Sequence, residues 1–145
     1  MEALISNQNV EIVRRLYGGG RTVRNLLLQG AGLSDQPWLS LWHPECVLHE
    51  VAEIPDAATY HGREGVARYF QRLGELFDEV RWTPVEIVEG SHGVFAATEM
   101  WTRSKAGVVT EERPFHIFRL QDSMIIYAMG YLDRSEALKA VGLEE

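Results

Sequence analysis

GVFAATEMWTRSKAGVVTEERPFHIFRLQDSMIIYAMGYL, residues 93–132, places apolar side chains at every second position over most of its length. That alternation belongs to half-buried β-strands rather than to helices. The stretch divides into strands over 93–103, 109–120 and 124–132, separated by Lys105-Ala106-Gly107 and Gln121-Asp122-Ser123. One further strand, 80–89, precedes it across Gly90-Ser91-His92. Four period-two segments joined by short polar turns read as an antiparallel meander.

Upstream of the meander the period changes. Val66, Tyr69, Phe70, Leu73, Leu76 and Phe77 recur at three- and four-residue steps, which predicts a long helix over 63–77. Before it come a strand over 47–51, a loop rich in Ala, Pro and Asp, and a short helix through Pro37 to Trp42 that His43-Pro44 ends. An amphipathic helix over 9–17 carries Val10, Val13, Leu16 and Tyr17 on one face, and 136–141 forms a last short helix. Between Gly18 and Gly32 lies a glycine-flanked apolar piece that could lid a pocket or extend an interface. Helices, a strand, a helix and a meander make an α+β fold, with helices on one face of a curved sheet.

The 145 residues suit a single domain spanning 1–145, since domains run to roughly 100–200 residues. A composition 46% hydrophobic and 24% charged excludes global disorder. The net charge of −7, with no basic block, disfavours nucleic acid as a partner. The start shows no secretory pattern, and the longest apolar run, 124–129, is far short of a membrane span. With one cysteine, Cys46, no internal disulfide forms. The expectation is a cytoplasmic protein without membrane contact.

Most chemistry-bearing motifs fail on spacing. Gly30-Ala31-Gly32 follows no strand and lacks the third glycine of a dinucleotide fingerprint. No serine sits in a nucleophile elbow. His43, Glu45, Cys46 and His49 are ligand-type residues, but their spacing does not suit a structural zinc site, and Cys46 and His49 would face opposite ways on a strand. Neither a metal nor a cofactor is expected.

Side-chain alternation supplies the better candidate. His116 shares a face with Phe118 and Leu120. A hairpin loop centred within 104–110 would bring Glu99 beside His116 and put Phe95, Ala97 and Trp101 on the same face, continued by Ile126, Ala128 and Gly130. The product is an apolar concave wall carrying a carboxylate and an imidazole, a pattern suited to a small-molecule pocket with acid–base chemistry. A buried Glu–His pair can also be only a satisfied core hydrogen bond. The opposite face, with Phe115, Ile117, Tyr127, Met129 and Tyr131, is apolar enough to need covering.

The phrases PECVLHEV (44–51), HGREGVARYF (61–70), ERPFHIFRL (112–120) and YLDRSEALKAVGL (131–143), in this order of elements, resemble the SnoaL-like branch of the nuclear-transport-factor-2-like superfamily. Ketosteroid isomerases, limonene epoxide hydrolases and scytalone dehydratases belong to the same superfamily. The resemblance implies a cone, a bent mixed sheet wrapped around N-terminal helices in a cystatin-like α+β barrel, with a deep pocket and a homodimer through the outer sheet face. Against ketosteroid isomerases, Tyr17 matches the oxyanion-donating tyrosine and Glu50 the general base, while His116 stands in place of a protonated aspartate. Against limonene epoxide hydrolases, Glu99 matches one aspartate, but Ala97 and Gly130 replace the arginine and the other aspartate. Tyr17, His49, Glu50, Tyr60 and His116 could supply the set of a scytalone dehydratase.

The resulting expectation is a cofactor-free isomerase, cyclase or dehydratase acting on an apolar carbonyl or polycyclic substrate. Glu50, Glu99, His116 and Tyr17 would be catalytic, and His49, Tyr60, Trp101, Phe118 and Phe95 would contact a small hydrophobic organic molecule. The alternatives are a non-catalytic binding domain for a hydrophobic metabolite, an epoxide hydrolase with a non-standard set, or an interaction module using the sheet face. Whether His49 or Glu50 faces inward stays open, because neighbours on a strand point to opposite sides.

Overall fold

The computed structural model describes residues 2–17, 23–24, 37–53 and 56–143. The lid or interface role expected for 18–32 falls almost wholly outside them.

Helix α1 (Glu2–Leu16) leads to a two-residue strand β1 (Val23–Arg24), a 3-10 turn (Pro37–Leu41), β2 (Trp42–His49) and β3 (Thr59–His61). Helix α2 (Gly62–Leu76) runs directly into β4 (Phe77–Gly90), which is followed by β5 (Gly93–Ser104), β6 (Val109–Glu112), β7 (Phe115–Gln121), β8 (Met124–Tyr131) and α3 (Arg134–Ala140). The predicted strand over 109–120 is thus two strands. Pro114 has no N–H for the ladder, so pairing lapses at Arg113-Pro114 and resumes at Phe115.

The sheet runs β1-β4-β5-β7-β8-β2-β3, with β6 on β5. Every pairing is antiparallel except β2 with β8, so the sheet is mixed, as expected. It has free edges at β1 and β3 and does not close into a barrel among the described residues. Register shifts at Pro84/Glu86 in β4 and at Arg119/Leu120 in β7 bend it. The second shift leaves Ile126 unpaired between Ile125 and Tyr127, so Ile125 instead of Ile126 enters the core.

One sheet face and the two longer helices enclose the main core, in which Ile12 and Val13 of α1 and Val66 and Ala67 of α2 meet Trp42, Val80, Val94 and Phe118. Helix α3 lies on the other face, a correction to the expectation of helices on one side only. Its Ala137 and Leu138, with Val141, cover Phe95 and Ile117. The Asp133 side chain caps this helix by accepting a 3.0 Å bond from Glu136 N.

The β5–β6 turn fixes everything that follows. Ser104 N donates to Val108 O at 2.8 Å and Gly107 N to Ser104 O at 2.9 Å, with Gly107 in the left-handed region at φ +87. This tight loop around Lys105–Gly107 pairs Met100 with Glu112, and the same register continues past Pro114 to pair Ala96 with His116.

Candidate active site

Between the helices and the inner sheet face a hollow of about 70 Å³ remains. Its polar positions include Tyr17, Trp42, His49, Glu50, Tyr69 and His116, set among apolar walls that include Phe118 and Ala128.

His116 projects inward from β7 between Ala96 on one side and Gly130 on the other. Both neighbours are small, which leaves room for the imidazole, and the indole of Trp82 packs on it at 4.9 Å. Tyr17, in the turn that ends α1, places its hydroxyl 2.9 Å from His116 Nδ1. Trp82 and Phe118 hold the tyrosine edge-on at 6.2 Å each. Burial drives the His116 pKa down to about 4, because a charged imidazolium loses its hydration there. Burial, reinforced by Tyr69, pushes the Tyr17 hydroxyl well above the ordinary phenol range. At neutral pH the pair is therefore uncharged. A neutral imidazole has one donor and one acceptor nitrogen. When Tyr17 donates to Nδ1, the proton sits on Nε2, which makes no hydrogen bond among the described residues.

Glu50 follows directly on β2. Its carboxylate accepts from the Tyr60 hydroxyl at 3.3 Å and from Ala58 N at 3.4 Å, and Arg72 donates to the Tyr60 oxygen at 3.4 Å. The segment leaving β2 crosses β8 at Gly130, where Ala52 N donates to Gly130 O at 2.8 Å. A β-carbon on Gly130 would overlap the Glu50 carbonyl oxygen and stand 3.7 Å from His116 Cδ2. The missing side chain lets the Glu50 backbone and the imidazole approach one strand position from two sides.

His49 and Glu50 both border the hollow and differ in their partners. Leu48 is buried in the core. The His49 ring meets Thr59 Oγ1 at 2.6 Å and the Tyr127 ring at 5.6 Å. Glu50, beyond the strand end, has its carboxylate tied to Tyr60.

Of the expected site residues, the structure brings Tyr17, His49, Glu50, His116 and Phe118 together around the hollow, with Tyr60 supporting Glu50 from behind. It does not bring Glu99, Phe95 or Trp101 there. The expectation from sequence is a hairpin centred within 104–110 with Glu99 opposite His116. The turn closes at Ser104 and Val108 and puts Ala96 opposite His116, three residues away, an odd displacement that flips the parity of β5. Glu99 lies on the outer face, 3.8 Å from Arg113 and 58% exposed. Trp101 lies under the Arg81 guanidinium at 4.4 Å, and Phe95 is sealed under α3. Sequence reasoning missed Tyr69, Trp42 and Trp82. Tyr69 was visible as the polar member of the inward stripe of α2, and Trp82 alternates with the buried Val80.

The ligand-type residues of β2 disperse. His43 Nδ1 accepts from Glu45 N at 3.0 Å, and its Nε2 lies 3.9 Å from Asp122. Cys46 is buried, with its thiol pushed up by that burial. Among the described residues no three His, Cys, Asp or Glu side chains converge as a metal site. His61 and His92 are solvent-exposed. No helix among the described residues is long and apolar enough to cross a membrane.

Comparison with known proteins agrees with this architecture. A SnoaL-like domain profile matches residues 34–128. An NTF2-like protein of unknown function from Mesorhizobium loti is similar over 88% of this chain and 93% of its own, at 26% identity and a TM-score of 0.61. A candidate SnoaL-like polyketide cyclase from Jannaschia sp. CCS1 is similar over 94% and 93%, at 16% identity and a TM-score of 0.67. A protein of ketosteroid isomerase-like fold from Catenulispora acidiphila, in complex with trimethylamine, is similar over 92% and 93%, at 16% identity and a TM-score of 0.65. No curated protein matches the chain by sequence.

Proposed function

This chain belongs to the SnoaL-like domain family, and from that premise and the geometry of its hollow we propose that it is an acid–base enzyme acting, without a cofactor, on a small carbonyl compound. The observation that carries the reading is the Tyr17–His116 pair, 2.9 Å apart and uncharged, sharing an apolar hollow with the Glu50 carboxylate.

In the proposed step Glu50 removes a proton from the carbon next to the substrate carbonyl. The electron pair of that C–H bond forms the enolate C=C bond, and the carbonyl π electrons move onto oxygen. The Tyr17–His116 pair supplies the hydrogen bond that this oxyanion gains as charge develops. With a β,γ-unsaturated carbonyl compound Glu50 then returns its proton to the γ-carbon while the C=C bond moves into conjugation, which is an isomerisation. With a dicarbonyl the enolate carbon attacks the second carbonyl of the same molecule, whose π electrons move onto its oxygen, and that alkoxide takes the proton back from Glu50, which is a cyclisation. An imidazole held neutral at pH 7 suits the donor role, because it gives one N–H without carrying charge into the apolar site.

Size constrains the substrate. Ligand pockets for drug-sized molecules enclose about 300–1,000 Å³, well above the 70 Å³ here. The hollow takes a compound of a few heavy atoms, or the reacting end of a larger one. Trimethylamine, held by the Catenulispora acidiphila protein, is of that order.

Butanone in deuterated water tests the reading by NMR. The wild-type protein should accelerate exchange of the hydrogens beside the carbonyl, and Glu50→Gln should lower that rate by about 10²–10⁴-fold. Binding of butanone with no acceleration would show a carrier for small metabolites, and an unchanged rate in Glu50→Gln would remove Glu50 as the base.

The outer face is proposed to pair with a second copy of the chain. Phe115, Tyr127, Met129 and Tyr131 are only partly buried there beside α3. Sedimentation should give twice the chain mass; a monomer at micromolar concentration contradicts the pairing.

A further inference from the structure

Behind Glu50 runs a chain of donors that the step above does not use. Arg72 Nη1 donates to the Tyr60 hydroxyl at 3.4 Å, and that hydroxyl donates to Glu50 Oε1 at 3.3 Å. Arg72 is exposed on α2, Tyr60 is buried on β3 and Glu50 borders the hollow, so the chain leads from the surface to the candidate base. Tyr60 is not one of the side chains that line the hollow. Its ring packs edge-on against that of Tyr69 at 5.4 Å, which helps to fix where its hydroxyl sits.

A base has to be oriented without being disarmed. A guanidinium in direct contact with a carboxylate favours its ionised form strongly and weakens it as a proton acceptor. Among the described residues no guanidinium is within ion-pair distance of Glu50, and Arg72 reaches it through the Tyr60 phenol. A hydroxyl that accepts from a cation becomes a stronger donor in turn, because hydrogen bonds in a chain polarise one another. The phenol therefore passes on part of the effect of the charge and holds one carboxylate oxygen, while Ala58 N holds the other at 3.4 Å.

We propose that Tyr60 and Arg72 are positioning residues for the base, Arg72 polarising the Tyr60 hydroxyl and Tyr60 setting both the direction and the proton affinity of the Glu50 carboxylate. The proposal rests on the acid–base reading of the hollow and deepens it. The other titratable groups that border the hollow with Glu50 are Tyr17 at the end of α1, His49 on β2, Tyr69 on α2 and His116 on β7. Glu53, farther along the segment that carries Glu50, is turned to Leu132 N and Asp133 N. None of these is altered in the variants that separate the two positioning residues from the rest.

The pH dependence of butanone exchange is the test. In the wild type the rate falls on the acid side as the base takes up a proton. Tyr60→Phe should move this acid limb to higher pH by about one unit, because a donor to the charged carboxylate is gone. Arg72→Met, at the surface, should move it the same way by less, and it decides the matter even where Tyr60→Phe does not fold. Arg68→Met removes another exposed cation from α2 and should leave the limb in place. Any contribution of His116, which titrates near pH 4, is common to all the variants. A folded Tyr60→Phe or Arg72→Met protein that is slower but keeps the wild-type limb has lost structure only, which overturns the proposal. An equal shift in Arg68→Met overturns it as well, since the cause is then the general surface charge. Absence of any exchange in the wild type would instead overturn the acid–base reading on which the proposal depends.

Discussion

The two faces of the sheet use the same residue types to opposite ends. On the inner face Glu50, Tyr17 and His116 sit in an apolar enclosure with few partners. On the outer face Glu79 is bound by Arg81 at 2.6 Å and Arg103 at 3.5 Å, Trp101 is covered by Arg81, and Glu99 faces Arg113. Glu79 and Glu99 there stand beside guanidiniums. Glu50 on the inner face has only two long hydrogen bonds, of 3.3 and 3.4 Å, and no guanidinium within ion-pair distance among the described residues. Chemistry belongs where polar groups are underused and water is scarce. Glu99, 58% exposed on the outer face beside Arg113, has neither property.

The largest test of this contrast is catalytic. Glu50→Gln should lower carbonyl-dependent proton exchange by about 10²–10⁴-fold, whereas Glu99→Gln should leave it unchanged. Equal losses in both would erase the distinction between the faces.

Packing gives the next largest difference. Trp42 is 1% exposed in the main core, so Trp42→Ala should destabilise the fold by about 3–5 kcal/mol in denaturant titration. Trp101→Ala removes a half-covered indole and its guanidinium contacts, for about 1 kcal/mol.

Acid unfolding should separate the faces as well. His116 has a folded-state pKa of about 4 against an ordinary value of 6.5. Between those values the unfolded chain binds the extra proton, so the stability contributed by a neutral His116 is complete above about pH 6.5 and is lost as pH falls toward 4, by roughly 3 kcal/mol. Denaturant midpoints for the wild type should drop through that window, and His116→Gln should remove that part of the slope.

Much of this layout was legible in the chain. Alternation located β4, β5, β7 and β8 and put His116 and Phe118 on one face, and helical spacing found α2 to within a residue at each end. What failed was register. The hairpin turn is the three residues Lys105 to Gly107, and nothing in Ser104 to Val109 distinguishes it from a slightly later turn. Because side chains alternate with a period of two, a displacement by an odd number of residues exchanges Glu99 for Thr98 on the inner face. Tyr69 was missed for a different reason, since an aromatic at helical spacing reads as core until the hollow above it is seen. The placement of Glu50 depends on the path of the chain across Gly130, a contact between segments 80 residues apart.

That crossing sets the next prediction in size. Gly130→Ala should destabilise by about 1–3 kcal/mol, since the new methyl overlaps the Glu50 carbonyl. It should also slow proton exchange by displacing Glu50. A fully stable, fully active Gly130→Ala protein would show that the approach of the two segments is not needed. The smallest effect belongs to Glu99→Gln, where loss of an exposed 3.8 Å ion pair should change stability by less than about 0.5 kcal/mol.

The central claim is an uncharged imidazole beside Tyr17 in a water-poor hollow, and NMR titration of the ring C–H signals of His116 tests it directly. The resonance should stay in its neutral position down to a midpoint near pH 4. A His116 midpoint near the ordinary imidazole value of 6.5 would contradict the account.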